Sequence, residues 1–276
     1  MLPNSKITVL GSGGWIGSVL ANSLMQNGHD VTCVNRSSFP TWLASSVPQG
    51  YVIFTIGLTS DFRKYPHATV ESHVDILSKV IQRPGITNLL FLSSTRVYSR
   101  STHASESLPL TTLPSDPTDL YNLSKMLGES LILQDSRPGL KVVRLSNVVG
   151  PGQPINTFLG SIIHEAKHTG SITIQQPANF AKDYVSLDDV VRLLPEIAMK
   201  GQRRLYNLGS GSNTQHSRIA ETLQHLGVTV RFTSQHLTDQ VFPPLNISRL
   251  LKEFSPPGQA PSHNLLNCLL NDESKV

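Results

Sequence analysis

Apolar positions in the first half of the chain come as short runs separated by polar, glycine-rich breaks. "KITVLG" (6–11) is β-rich and stops at a glycine, while "GWIGSVLANSLMQNG" (14–28) spaces its apolar residues at helical period and ends on another glycine. "HDVTCVNR" then returns as a strand, so the opening of the chain predicts a βαβ unit with a right-handed crossover. Further strands are predicted at "YVIFTIG" (51–57), "NLLFLSS" (88–94) and "KVVRLSN" (141–147), with helical patterns over 68–83 and 117–135. This alternation predicts an α/β fold: a doubly wound parallel sheet with helices on both faces. The Pro/Gly cluster "GPGQP" (150–154) marks the exit from a sheet domain, 1–149, into a small C-terminal lobe, 150–276. In the lobe "NTFLGSIIHEAKHTG" and "DDVVRLLPEIAMKG" read as helices and "RRLYNLGSG" as a strand, and residues 183–211 are expected to pack back on the first domain. From 212 onward the chain reads as short helices and proline-rich loop.

Composition narrows the classes. The chain has 276 residues, 38% of them hydrophobic, which suits one substantial core plus a smaller lobe. No apolar run approaches the roughly 20 residues of a membrane span, and a first strand at Lys6 leaves no room for a signal peptide, so a cytoplasmic protein is expected. The net charge of +4 comes from scattered Lys and Arg rather than a basic run. That argues against a nucleic-acid interface and suits an anionic substrate or cofactor. Cys33 and Cys268 lack metal spacing and read as structural thiols, so neither a disulfide nor a metal site is expected.

Candidate chemistry lies at the strand ends. "GSGGWIG" sets Gly11, Gly14 and Gly17 directly after a strand and at a helix start, with Trp15 and Ile16 between them. A tight turn, close backbone approach and a positive helix end are what a pyrophosphate needs, so these residues are assigned to a dinucleotide cofactor, with Gly57 beside them. The tip of the second strand reads Val34, Asn35, Arg36, Ser37. With a guanidinium and no carboxylate there, NADP(H) is favoured over NAD(H). In "DLYNLSKMLGES" (119–130), Tyr121 and Lys125 share a helix face, and an ammonium beside a phenol is expected to draw its pKa down toward the working range. Ser94 ends the preceding strand, at the edge where open parallel sheets place their ligands.

With these residues in place, the chain resembles the extended short-chain dehydrogenase/reductase family, the NAD-dependent epimerase/dehydratase group acting on nucleotide sugars. The matching stretches are "GSGGWIG", "FLSSTRVYS", "YNLSK", "RLSNVVGPG", "KDYVSLDDV" and "YNLGSG", in the family's order. The resemblance implies a Rossmann-type sheet, Tyr121 as acid/base, Lys125 tuning it and bonding the nicotinamide ribose, and Ser94 orienting the substrate oxygen. It further implies that Asn147 and Lys182 meet a nucleotide diphosphate, and that a homodimer is possible. Asp183, Asp188 and Asp189 are expected to be caps and structural partners.

Departures from the family pattern refine the expectation. Between Arg36 and Tyr51 there is room for one short helix, so the usual third strand, an edge of the sheet, is expected to be missing. Ile56 stands where a small residue is customary, and His73 where asparagine is frequent, its expected role a hydrogen-bonded support. Thr95 and Arg96 replace the Asp-Glu pair of 4,6-dehydratases, and Thr95 also replaces the cysteine of enzymes resembling fucose synthase. "SQHLTDQVFPP" lacks the arginine often offered to the diphosphate, and "LTSDFRKYP" (58–66) reads as a solvated loop, with reach of Arg63 and Lys64 to an anionic substrate as the alternative. Three functions stay open: reduction of a 4-keto nucleotide sugar, which leads; 4-epimerisation; and a non-catalytic dinucleotide sensor or RNA-binding protein.

Overall fold

The computed structural model describes residues 5–58, 61–234 and 242–272. Strand β1 (Lys6–Leu10), helix α1 (Trp15–Gln26) and strand β2 (Asp30–Val34) form the expected βαβ unit. A short helix α2 (Phe39–Ala44) leads to β3 (Tyr51–Phe54). From Pro66 to Gln82 the chain is helical, with a π turn at Glu71–Asp75 between α3 (Pro66–Val70) and α4 (Ile76–Gln82). Strand β4 (Asn88–Ser94), a 3₁₀ turn at Thr95–Tyr98, α5 (Asp119–Gln134), β5 (Leu140–Leu145) and the short β6 (Asn147–Val149) follow. The remaining elements are α6 (Phe158–Thr169), β7 (Ser171–Ile174), β8 (Ala181–Ser186), α7 (Leu187–Lys200), β9 (Leu205–Leu208), β10 (Asn213–Gln215), α8 (His216–His225), β11 (Thr229–Phe232), α9 (Ser248–Leu251) and α10 (His263–Asn271).

Six parallel strands make the main sheet in the order β2-β1-β3-β4-β5-β9. The strand order reverses between β1 and β3, which opens the crevice above their carboxyl ends. As the sequence indicated, only α2 fills the interval between β2 and β3, so β2 itself is the sheet's edge. That position decides the fate of Cys33. β2 buries little beyond Val34, and Cys33 is a free, exposed thiol rather than the core residue its apolar run suggested. Cys268 is free and exposed as well, on α10. Central β4, by contrast, is buried along nearly its whole length, as a strand covered on both faces must be.

Two cores flank the sheet. One packs α1 and α7 against it through Leu20, Leu24, Val190, Leu194 and Ile197; the other packs α2, α4 and α5 through Trp42, Leu77, Val80 and Ile132. A third core joins α6, α8, α10 and the parallel pair β7–β11 in the C-terminal part. A small three-stranded sheet, β10-β8-β6, runs beside the main one and carries Lys182 and Asn147. These short accessory strands were not evident in the sequence, apart from their motif residues.

Candidate active site

The glycine turn is built as tightly as its sequence requires. Gly11 has φ +92°, and a Cβ there would lie 2.8 Å from Thr55 Oγ1; a Cβ at Gly17 would lie 2.2 Å from the Gly11 carbonyl oxygen. Neither position accepts a side chain: the Thr55–Ile56 segment after β3 closes on Gly11, and Gly17 packs α1 directly on the turn. Gly14 caps α1 without any side-chain hydrogen bond, no acidic residue occupies the first helical turn, and Gly13 and Gly14 are exposed. The positive helix end therefore faces open space lined by backbone, which fits the pyrophosphate of a dinucleotide. Trp15 turns its indole elsewhere and donates from Nε1 to the Pro151 carbonyl at 2.8 Å. Its contribution on the turn side is backbone. Ile16 is partly buried against the first core, and Ile56 packs its Cγ1 beside Gly11. Arg36 is exposed at the tip of β2, where neighbouring Asn35 holds the turn by accepting from the Ser37 and Ser38 amides at 3.1 Å each.

Ser94, Tyr121 and Lys125 converge at the carboxyl end of β4. Tyr121 and Lys125 lie one turn apart on α5, both buried, and the Ser94 hydroxyl is near enough to the Tyr121 phenol to act on its pKa. Lys125 Nζ donates to the Leu92 carbonyl at 2.9 Å. Burial pushes its pKa down to about 7, and the Glu129 carboxylate one turn further along α5 opposes that shift. Gly57 gives the lysine room: a Cβ at Gly57 would stand 3.4 Å from Nζ.

The direction of the Tyr121 shift differs from the sequence expectation. Burial raises the phenol above its ordinary value; the neighbouring Ser94 hydroxyl and the Arg96 charge pull the other way without reversing it. The reason lies in the company the ring keeps. Lys125 is tied to Leu92, with Nζ 5.9 Å from the ring centroid, while Phe62 and His73 pack on the ring at 5.3 Å each. His73 sits in the π turn, accepts the Leu58 amide on Nε2 at 3.2 Å and contacts Ser124 Oγ through Nδ1 at 2.9 Å. Ser124 in turn donates to the Tyr121 carbonyl at 2.8 Å. Burial, reinforced by the Lys125 charge, lowers the His73 pKa to about 2. The ring is therefore neutral, and since Nε2 accepts, Nδ1 carries the proton. It is the support its position suggested, locking the segment after β3 to α5.

Two residues escaped the sequence reading. Phe62 lies in the loop the sequence presents as solvated, yet it is buried and packs on the Tyr121 ring; Arg63 lies against Phe62 but is exposed, as is Lys64, 3.7 Å from Asp61. Arg96, which stands in place of a family carboxylate, also enters the site. Its guanidinium lies 5.0 Å from the Phe62 centroid and 5.8 Å from that of Tyr121, and its backbone N–H donates to Ser94 Oγ at 3.2 Å. The one signal in the sequence was an apolar aromatic inside an otherwise polar loop.

On the lobe side, Asn147 is exposed and donates to the Asp183 carbonyl at 2.8 Å. Lys182 lies over Phe180 with Nζ 5.3 Å from the ring centroid; burial and then the Arg96 charge lower its pKa. Asp183 accepts the Ser210 and Ser212 amides at 3.0 Å each, and Asp189 holds Ser186 and Arg192. Both aspartates are structural partners, as expected. Most of "SQHLTDQVFPP", together with Thr59 and Ser60 of "LTSDFRKYP", lies outside the described residues. Among the described residues no helix is long and apolar enough to cross a membrane, and no cluster of potential metal ligands occurs.

The sequence matches the NAD dependent epimerase/dehydratase family over residues 7–59 and 51–209. The chain belongs to this family. A UDP-glucose 4-epimerase of Corynebacterium glutamicum is 24% identical over 265 residues, covering 78% of each chain. Among solved structures, the NAD-dependent NDP-hexosamine 5,6-dehydratase TunA superposes with a TM-score of 0.81 at 18% identity, covering 97% of each chain. RMD from Pseudomonas aeruginosa, complexed with NADPH, superposes with a TM-score of 0.80 at 20% identity over 97% of this chain and 98% of that one. The shared architecture is the Rossmann-type sheet with its C-terminal lobe.

Proposed function

We propose that the protein is an NAD(P)-dependent oxidoreductase that reduces the 4-keto group of a nucleotide sugar, with Tyr121 as the acid. The observation that carries this reading is the buried Tyr121 phenol beside the Ser94 hydroxyl, with buried Lys125 one helical turn away. A bound nicotinamide supplies the hydride. Gly11, Gly14, Trp15, Ile16 and Gly17 would hold its pyrophosphate through backbone, Arg36 would meet a 2′-phosphate, and Gly57 and Lys125 would line the ribose. Ser94 orients the carbonyl oxygen, and Tyr121 gives it the hydroxyl proton as negative charge develops there. The phenol, held above its ordinary pKa by burial, is protonated and able to donate. Asn147 and Lys182 would receive the diphosphate. Thr95 and Arg96 offer no carboxylate to remove and return a proton during loss of water, so dehydration is not part of the proposal.

A second reading, 4-epimerisation, is favoured by the similarity to the Corynebacterium glutamicum 4-epimerase. It requires oxidation followed by re-reduction on the opposite face of the sugar.

Replacing the hydroxyl decides the matter of Tyr121. In Tyr121→Phe, NADPH titration should be unchanged while turnover of a 4-keto sugar nucleotide falls about 10²–10⁴-fold, the usual worth of a positioned acid. Retained turnover would remove Tyr121 from the reaction. Arg36→Asp should move the NADPH:NADH affinity ratio toward NADH, and an unchanged ratio would take Arg36 away from the 2′-phosphate.

A further inference from the structure

The candidate site holds more positive charge than a diphosphate contact at Lys182 uses. Arg96 stands two residues beyond Ser94, tethered to it by its own backbone N–H at 3.2 Å, with its guanidinium against the Tyr121 and Phe62 rings. Arg63 places a second guanidinium 4.7 Å from the Phe62 centroid and donates to Thr118 Oγ1 at 3.2 Å. Burial and then the Arg63 charge depress the Arg96 pKa, and Arg96 in turn depresses that of Lys182, so the three cations share one field.

Asp119 and Asp116 act on Arg96 only at a distance, raising its pKa against burial and Arg63, because both are bonded elsewhere. Asp119 is taken up by Arg100 Nε at 2.6 Å, by the Leu113 amide at 2.7 Å and by Asn122 at 2.7 Å. Asp116 pairs with Arg100 too. Arg96 Nε is buried, and among the described residues no acceptor meets it. Nε is shut away from solvent, so the terminal nitrogens of this partly exposed side chain are what a ligand can reach, and a carboxylate is the group that complements them.

We infer that Arg96, backed by Arg63, binds a carboxylate on the sugar itself, close to the carbon that reacts at Tyr121, so that the substrate is an acidic sugar of the hexuronate class. The inference rests on the proposed function for the position of the sugar, and it deepens that reading by naming the substrate class. The tether to Ser94 sets the charge beside the reacting oxygen, leaving Lys182 and Asn147 on the lobe side for the diphosphate. Recognition of this kind favours the acidic sugar over the neutral one, which would leave the guanidinium without a counter-charge.

The test reads binding rather than turnover and needs no knowledge of the nucleotide. The full-length protein is titrated calorimetrically, with NADPH present and absent, using glucuronic acid 1-phosphate and glucose 1-phosphate, which differ only in the carboxylate. The acidic sugar phosphate should bind about tenfold or more tightly than the neutral one, as a charge-assisted pair predicts. In Arg96→Gln that ratio should fall to about one with the glucose 1-phosphate affinity unchanged, and Arg96→Lys, keeping charge without the fork, should fall between. Equal affinities in the wild type, a parallel loss of both in Arg96→Gln (which would place Arg96 on the phosphate), or no binding of either probe would overturn the inference. Failure of the Tyr121 chemistry would show in turnover and leave this ratio intact.

Discussion

Arg144 and Arg96 are both drawn against tyrosine rings beneath the same sheet edge, and the contrast in their partners separates architecture from recognition. Arg144 lies on β5 with its guanidinium 5.0 Å from the Tyr98 centroid. It donates to Glu129 from Nη2 at 2.6 Å and from Nε at 3.0 Å, and to the Tyr98 hydroxyl at 2.7 Å, while that hydroxyl donates to Asn207 at 2.9 Å. Burial alone would lower its pKa, yet the Glu129 hydrogen bonds overcome this and hold it above its ordinary value. Arg96 has the same aromatic neighbour chemistry and no such acceptor for its Nε. Lys125 stands between the two cases, buried with a single neutral carbonyl as its partner. One cation is saturated by the fold, one half-satisfied, and one left for a ligand.

The comparison breaks most decisively at Arg144. Arg144→Met strands Glu129 in the interior and should cost about 3–5 kcal/mol in urea denaturation. The Arg144→Met/Glu129→Leu pair should regain most of that loss, since two apolar groups replace the ion pair; a double variant as unstable as the single one would mean the network does more than satisfy charge.

Lys125 should give a smaller, pH-dependent effect. Its folded pKa of about 7 lies below the ordinary 10.5, so between these values the unfolded chain binds more protons than the folded one. Stability from this group therefore rises with pH across that window, by at most about 1.4 kcal/mol per pH unit. Comparing wild type with Lys125→Met at pH 7.5 and 9.5 isolates the term: the wild type should gain relative to the variant at the higher pH, and a constant difference would mean that Lys125 is not desolvated.

The smallest change is expected at Arg96. Arg96→Met removes a cation that the fold does not neutralise, so thermal unfolding of the ligand-free protein should shift by less than about 1 kcal/mol, or toward greater stability. A loss comparable to that at Arg144 would show that Arg96 has a structural partner.

Much of this was legible in the chain. "NLLFLSS" predicted β4 residue for residue, because a central strand is apolar without alternation, and the four-residue spacing of Tyr121 and Lys125 fixed their shared face. The gap between Arg36 and Tyr51 forecast the narrowed sheet because a strand and a helix need more residues than it holds. Other features depend on tertiary placement. Cys33 looked buried until β2 became an edge, and β10 and β11, of three and four residues, carry too short a pattern to be distinguished from loop. The phenol's pKa follows first from burial and only then from its neighbours, and helix spacing indicated Lys125 where the fold brings Phe62 and Arg96 against the ring.

The hydrogen bond from Trp15 to Pro151 joins the start of α1 to the crossing that leads into the C-terminal part. Any hinge motion that parts the glycine turn from this crossing must break that bond. The other tryptophan, Trp42, is sequestered in the core, where its indole donates to Gln49 at 2.6 Å. The molecule thus carries its own optical gauge: emission from one indole tracks the joint, while the second, fixed beside α4, serves as the internal reference.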